Sequence, residues 1–89
     1  MQSCEVTICN RLGLHARAAA KLVGTASGFD AEVTLEKQGQ RVNGKSIMGV
    51  MMLAASQGTV LRITAEGPGE HEVLEALREL VADRFGEPE

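Results

Sequence analysis

Tryptophan and tyrosine are absent from this 89-residue sequence, and Phe29 and Phe85 are its only aromatic side chains. A single-stranded nucleic acid would find almost no surface on which to stack its bases. Basic residues are also few: nine Lys and Arg stand against twelve Asp and Glu, for a formal charge of -3. The electrostatic footprint of a phosphate-backbone binder is therefore missing, and no nucleic-acid partner is expected. No apolar run approaches the ~18 residues of a membrane span. The start MQSCEV has neither the basic nor the apolar region of a signal peptide, which points to a cytoplasmic protein without a membrane partner. The two cysteines, Cys4 and Cys9, fall five residues apart in one strand-like segment and face opposite sides of it, so they are not expected to bond to each other. As metal ligands they would need His15 and His71 from unrelated segments, with none of the close pair spacing of zinc sites. They read as small buried or half-buried thiols, and no metal or cofactor is expected.

What is present is enough for one domain over residues 1–89. A chain of this size buries roughly 60 to 65% of its unfolded surface, which supports a modest core but leaves no room for a large enclosed substrate cavity. Residues 4 to 9 alternate, with Cys4, Val6 and Ile8 on one face, as in a half-buried strand. From 16 to 27, Ala19, Leu22, Val23 and Ala26 form one helical stripe, and Gly28 closes that helix. Residues 31 to 37 alternate again and turn at Lys37-Gln38-Gly39 into the short run 40 to 43, a hairpin. Ser46 stands as N-cap before a short apolar helix from Ile47 to Ala55, with a stop at Gly58. Leu61, Ile63 and Ala65 mark the inner face of a last strand. Beyond Gly67-Pro68-Gly69, the residues Val73, Leu74, Leu77, Leu80, Val81 and Phe85 keep helical spacing to the end of the chain, with Glu70, Glu72 and Arg84 suiting the helix dipole. The order β-α-β-β-α-β-α, with one apolar face per strand, predicts an α+β two-layer sandwich with its helices on one side of a single antiparallel or mixed sheet.

The chemistry centres on His15, between a glycine turn and an alanine-rich helix, as the N-cap or first residue of that helix. The first N–H groups of a helix have no partner within it, so a phosphoryl group on the imidazole would be met by donors from about Arg17 onward. The same positive end disfavours an imidazolium and keeps a ring nitrogen free as a nucleophile. Arg17 adds a fixed cation for the phosphate oxygens. Between Leu12 and Ala20 there is no Asp, Glu, Cys or Lys. The segment thus offers a nucleophile and an anion clamp without a second acid or base for turnover, which suits a carrier better than an enzyme.

The segment Gly13-Leu14-His15-Ala16-Arg17-Ala18-Ala19, followed by Gly44-Lys45-Ser46-Ile47-Met48 and then Gln57-Gly58-Thr59, closely resembles the histidine phosphocarrier family of the bacterial phosphotransferase system. The resemblance spans nearly the whole chain. It implies an open-faced β-sandwich in which a four-stranded antiparallel sheet is covered on one face by three helices. It also implies a monomeric, stoichiometric carrier: His15 takes a phosphoryl group on Nδ1 from phosphorylated enzyme I, itself charged by phosphoenolpyruvate, and passes it to a histidine of an enzyme IIA. Sugar-branch members usually have proline after the arginine, where this chain has Ala18. The run Ala18-Ala19-Ala20 looks like the nitrogen-branch carriers, which act in regulation. A sugar-branch carrier for sugar uptake is the alternative within the family. A partner-binding module in which His15 serves only in contact is the alternative outside it.

Ser46 reads first as a helix cap. In part of the family the matching serine is also phosphorylated by a dedicated kinase, which would set a dianion on a helix N-terminus. The helix that follows is apolar almost all round. Val50 and Leu53 are assigned to the core; Ile47, Met48 and Met51 cannot all point inward with them and read as an adaptable docking patch. The resemblance implies that this helix and the first one bind donor and acceptors, with Leu14, Ala20 and Lys21 among the contacts. Where sugar-branch members commonly carry lysines the chain has Gly24, Ser27 and Gly49, so Arg17, Lys21 and Lys45 make a thin positive rim. His71 reads as a solvated surface residue.

Overall fold

The computed structural model describes all residues, 1–89. Strand β1 runs over Gln2–Thr7, helix α1 over Ala16–Ser27, β2 over Glu32–Lys37, β3 over Gln40–Asn43, α2 over Ile47–Met52, β4 over Val60–Glu66 and α3 over Glu70–Ala82, with a single 3-10 turn at Arg84–Gly86. The strands form one antiparallel sheet in the order β1-β4-β2-β3. The three helices cover one face of it, giving the expected α+β open-faced sandwich. No helix is long and apolar enough to cross a membrane.

Alternation places the core. Ile8, Val33, Leu35, Leu61, Ile63 and Ala65 from the sheet side meet Ala18, Ala19, Leu22 and Ala26 of α1, Val50 of α2 and Val73, Leu74, Leu77 and Val81 of α3 in one cluster of 20 buried residues. On the open face the register sets Glu5 opposite Arg62, Arg62 opposite Glu36, and Glu36 opposite Arg41. This row of alternating sign crosses all the strands and opposes slippage, because a one-residue shift would turn these charges into the core.

Two helices end earlier than periodicity predicts. Helix α2 stops at Met52 rather than Ala55, because Ala54 takes a left-handed backbone at φ 50. Lys37 reaches over from β2 and donates from Nζ to the carbonyls of Leu53 (2.9 Å) and Ala54 (3.3 Å), supplying the cation that the helix C-terminus lacks in its own sequence. Helix α3 stops at Ala82, and Arg84 and Phe85 follow at φ 57 and 55. Phe85 enters the core, as its spacing predicts, through a left-handed turn rather than on a helical stripe. Arg84 consequently lies beyond α3. Two further expectations are corrected locally. Strand β1 ends at Thr7, and Cys9 is exposed beyond it with its thiol donating to the carbonyl of Val81 at 3.1 Å. Cys4 is half-buried on the core side, and burial pushes its thiol up from the ordinary range. Both cysteines are free, and His71 is exposed.

Candidate functional site

The site is built by the turn between β1 and α1. Asn10 is fully buried, and its Nδ2 donates to the carbonyl of Gly13 at 2.8 Å while the Gly13 N–H donates back to Asn10 O at 3.2 Å. Gly13 sits at φ 67 against the backbone after α2: a Cβ there would lie 2.5 Å from Ala55 O and 2.9 Å from Ser56 Cα. The next N–H, of Leu14, donates to that same Ala55 carbonyl at 2.8 Å. The turn is thereby clamped to the end of α2, and His15 leaves it in extended backbone as the N-cap of α1.

At the N-cap the His15 carbonyl accepts the first helical bond, from Ala19 N–H at 2.8 Å, and its side chain caps nothing. The N–H groups of Ala16, Arg17 and Ala18 are left without intrahelical acceptors, and no acidic side chain sits in the first turn. This positive helix start faces an open groove lined by Leu12, His15, Arg17, Glu87 and Pro88. Arg17 is exposed there and bonds to nothing else in the chain. A phosphoryl group on the imidazole would meet both backbone donors and a guanidinium.

Sequence reasoning missed one member of the site. Glu87, 72 residues from His15, bonds His15 Nε2 through Oε2, while its Oε1 accepts from Asn10 Nδ2 at 2.9 Å. These two donors hold the carboxylate below the usual Glu range, chiefly through Asn10 and then through His15. A group lowered in this way contributes its tether fully above its unfolded value and loses it only as pH falls through the lower folded value. The carboxylate that residues 12 to 20 lack reaches His15 from the far end of the chain. The strap that carries it is fastened at several points: Lys21 Nζ donates to Phe85 O at 2.6 Å, Glu87 N–H to Arg84 O at 2.9 Å, and Arg11 N–H to Glu89 O at 3.0 Å. Left-handed backbone at Arg84 and Phe85 costs on the order of 1–3 kcal/mol each. The buried Phe85 ring and these bonds hold it in place.

Other expected contacts divide. Ser46 is the cap of α2, its Oγ accepting from Gly49 N–H at 3.1 Å. Ile47, Met48 and Met51 are exposed, joined by Met52, while Val50 and Leu53 are buried. Ala20 is on the surface of α1. Leu14 is buried, because its N–H is drawn to Ala55, so it cannot serve as a surface contact. Two lysines of the expected rim are committed to backbone carbonyls, Lys21 to Phe85 and Lys45 to Phe29 (2.7 Å). Arg17 is the unpaired cation of the groove.

Residues 2–83 match the family model described as "PTS HPr component phosphorylation site". Among similar proteins, a phosphocarrier protein HPr of Xylella fastidiosa (strain Temecula1) is 58% identical over 83 residues, 93% of each chain. One of Pseudomonas aeruginosa is 52% identical over the full length of both. Of solved structures, an HPr from Thermoanaerobacter tengcongensis superposes with a TM-score of 0.96 at 46% identity over all of both chains. That of Bacillus anthracis does so at 0.84 and 44%, covering 88% of this chain and 93% of the other.

Proposed function

Because the chain belongs to the HPr family of phosphocarriers of the phosphotransferase system, we propose that His15 is its phosphoryl acceptor, using Nδ1. The protein is a carrier and not an enzyme, and its family implies enzyme I as donor and enzyme IIA as acceptor. One observation carries the assignment to His15: the imidazole stands at the N-cap of α1 without capping it, between free helix N–H groups and the unpaired Arg17. In the transfer, a ring nitrogen lone pair forms the bond to phosphorus as the donor's bond breaks, and the donor keeps that electron pair. Arg17 and the helix start neutralise the three phosphoryl oxygens. Ile47, Met48, Met51 and Ala20 form the apolar side of the docking surface, and phosphate on Ser46 would set negative charge beside it. The same reading makes the cytoplasm the compartment in which the carrier would work.

Within the family we assign the carrier to the nitrogen branch. The relatives above bear the general name HPr; the finer reading is supported by Ala18 following Arg17 and by the commitment of Lys21 and Lys45 to backbone carbonyls. So thin a positive rim steers weakly toward acidic partners, and affinity leans on apolar contacts. The test is intact mass over time with phosphoenolpyruvate and enzyme I of either branch, across a salt series. Gain of one acid-labile phosphoryl group, faster from the nitrogen-branch donor and weakly dependent on salt, is expected. No gain from either donor contradicts the carrier reading; a faster, strongly salt-sensitive reaction with the sugar-branch donor contradicts the branch alone.

A further inference from the structure

We propose that Glu87 is a positioning residue for phosphoryl transfer: held by Asn10, it keeps the His15 proton on Nε2 and so leaves the lone pair on Nδ1. The inference rests on His15 being the phosphoryl acceptor, and it names what sets the reactive nitrogen.

Hydrogen-bond valence carries the argument. An ionised carboxylate only accepts, so the ring nitrogen that bonds Glu87 Oε2 must be the protonated one. Glu87 has a further donor to satisfy, since Asn10 Nδ2 donates to Oε1. Asn10 cannot turn over without loss, because the same Nδ2 also donates to the carbonyl of Gly13. Both amide protons thus point at fixed acceptors, in a side chain that is fully buried. The orientation passes from the clamped turn through Asn10 to Glu87 and from Glu87 to the ring. The favourable ionisation of Glu87 agrees with this arrangement.

Placement of Glu87 depends on the strap after α3, and the family match ends at residue 83, just before the left-handed turn at Arg84 and Phe85. Glu87 thus lies outside the residues that the family model matches. A strained turn, held by a buried aromatic ring and by Lys21, ends in a carboxylate against the reactive ring. During acceptance, Nδ1 bonds phosphorus, the donor's bond breaks with its electron pair, and the Nε2 proton stays where it is. The positive charge that the ring then carries faces Glu87, which stabilises it without moving a proton.

Glu87→Gln is the discriminating substitution. The carboxylate offers acceptors to two donors, whereas an amide offers one acceptor and one NH2 group. If its oxygen stays with Asn10, its NH2 meets His15 Nε2, which must then become the acceptor while the proton moves to Nδ1. Ring 15N chemical shifts of the unphosphorylated protein, at a pH where His15 is neutral, read the tautomer; initial rates of phosphorylation by enzyme I read its consequence. Wild type should show protonated Nε2. The variant should show a substantial Nδ1–H population and accept phosphate at least ~10-fold more slowly, the direction seen when a histidine is held in its wrong tautomer. An unchanged tautomer overturns the proposal whatever the rate, and so does an altered tautomer with a wild-type rate. Should wild type accept no phosphate, the carrier reading fails, while the 15N spectra still decide whether Glu87 sets the tautomer.

Discussion

Replacing His15 by alanine should abolish phosphoryl acceptance and leave the fold standing. The side chain is 30% exposed at the mouth of the groove, caps no helix N–H and fills no part of the core. Its carbonyl, which accepts the first bond of α1, is retained in alanine. Only the hydrogen bond to Glu87 disappears with the imidazole, and the other carboxylate oxygen stays on Asn10. The loss of that one bond to a carboxylate that keeps its second donor lowers Tm without abolishing the cooperative unfolding transition. Enzyme I should transfer nothing detectable to the variant in a time that saturates wild type. Transfer to it at the wild-type rate would move the acceptor elsewhere in the chain.

The complementary substitution, Gly13→Ala, should be costly to stability. Alanine meets two separate obstacles there: left-handed backbone at φ 67, and a Cβ position 2.5 Å from the carbonyl oxygen of Ala55. That oxygen belongs to backbone and already accepts from Leu14 N–H, so neither neighbour yields cheaply. Together they predict a loss of about 3 kcal/mol or more in unfolding free energy. Because the turn aims His15, the surviving folded fraction should also transfer phosphate more slowly. Denaturant unfolding measures the first effect. A midpoint within error of wild type would mean that the turn is not held against α2 as described.

Much of the architecture is readable from sequence wherever one period governs. Alternation at Cys4, Val6 and Ile8 and at Leu61, Ile63 and Ala65 identifies the inner face of the sheet, and the stripe Val73, Leu74, Leu77 and Val81 identifies that of α3. Ser46 is recognisable as a cap because capping is local chemistry. What escapes depends on contacts across the chain. The end of α2 at Met52 is met by Lys37 from another strand, and the turn after α3 seats Phe85 in a pocket that exists only once the helices have packed. Leu14 carries no periodic mark of burial; a bond from its N–H to Ala55 draws it in. Glu87 is the largest omission at the site. Its nearest signal is the asparagine in the turn, Asn10, whose buried amide needs partners, but nothing local says that one of them lies beyond α3.

The central claim is that His15, and no other residue, carries the phosphoryl group, and that it does so on Nδ1. It is tested most directly by phosphorylating 15N-labelled protein with phosphoenolpyruvate and enzyme I and recording 31P and ring 15N spectra under alkaline quench. The expected result is a single phosphorus resonance coupled to Nδ1 of His15, with the Nε2 signal shifted without such coupling. Phosphorus coupled to Nε2, or bound to any residue other than His15, would contradict it.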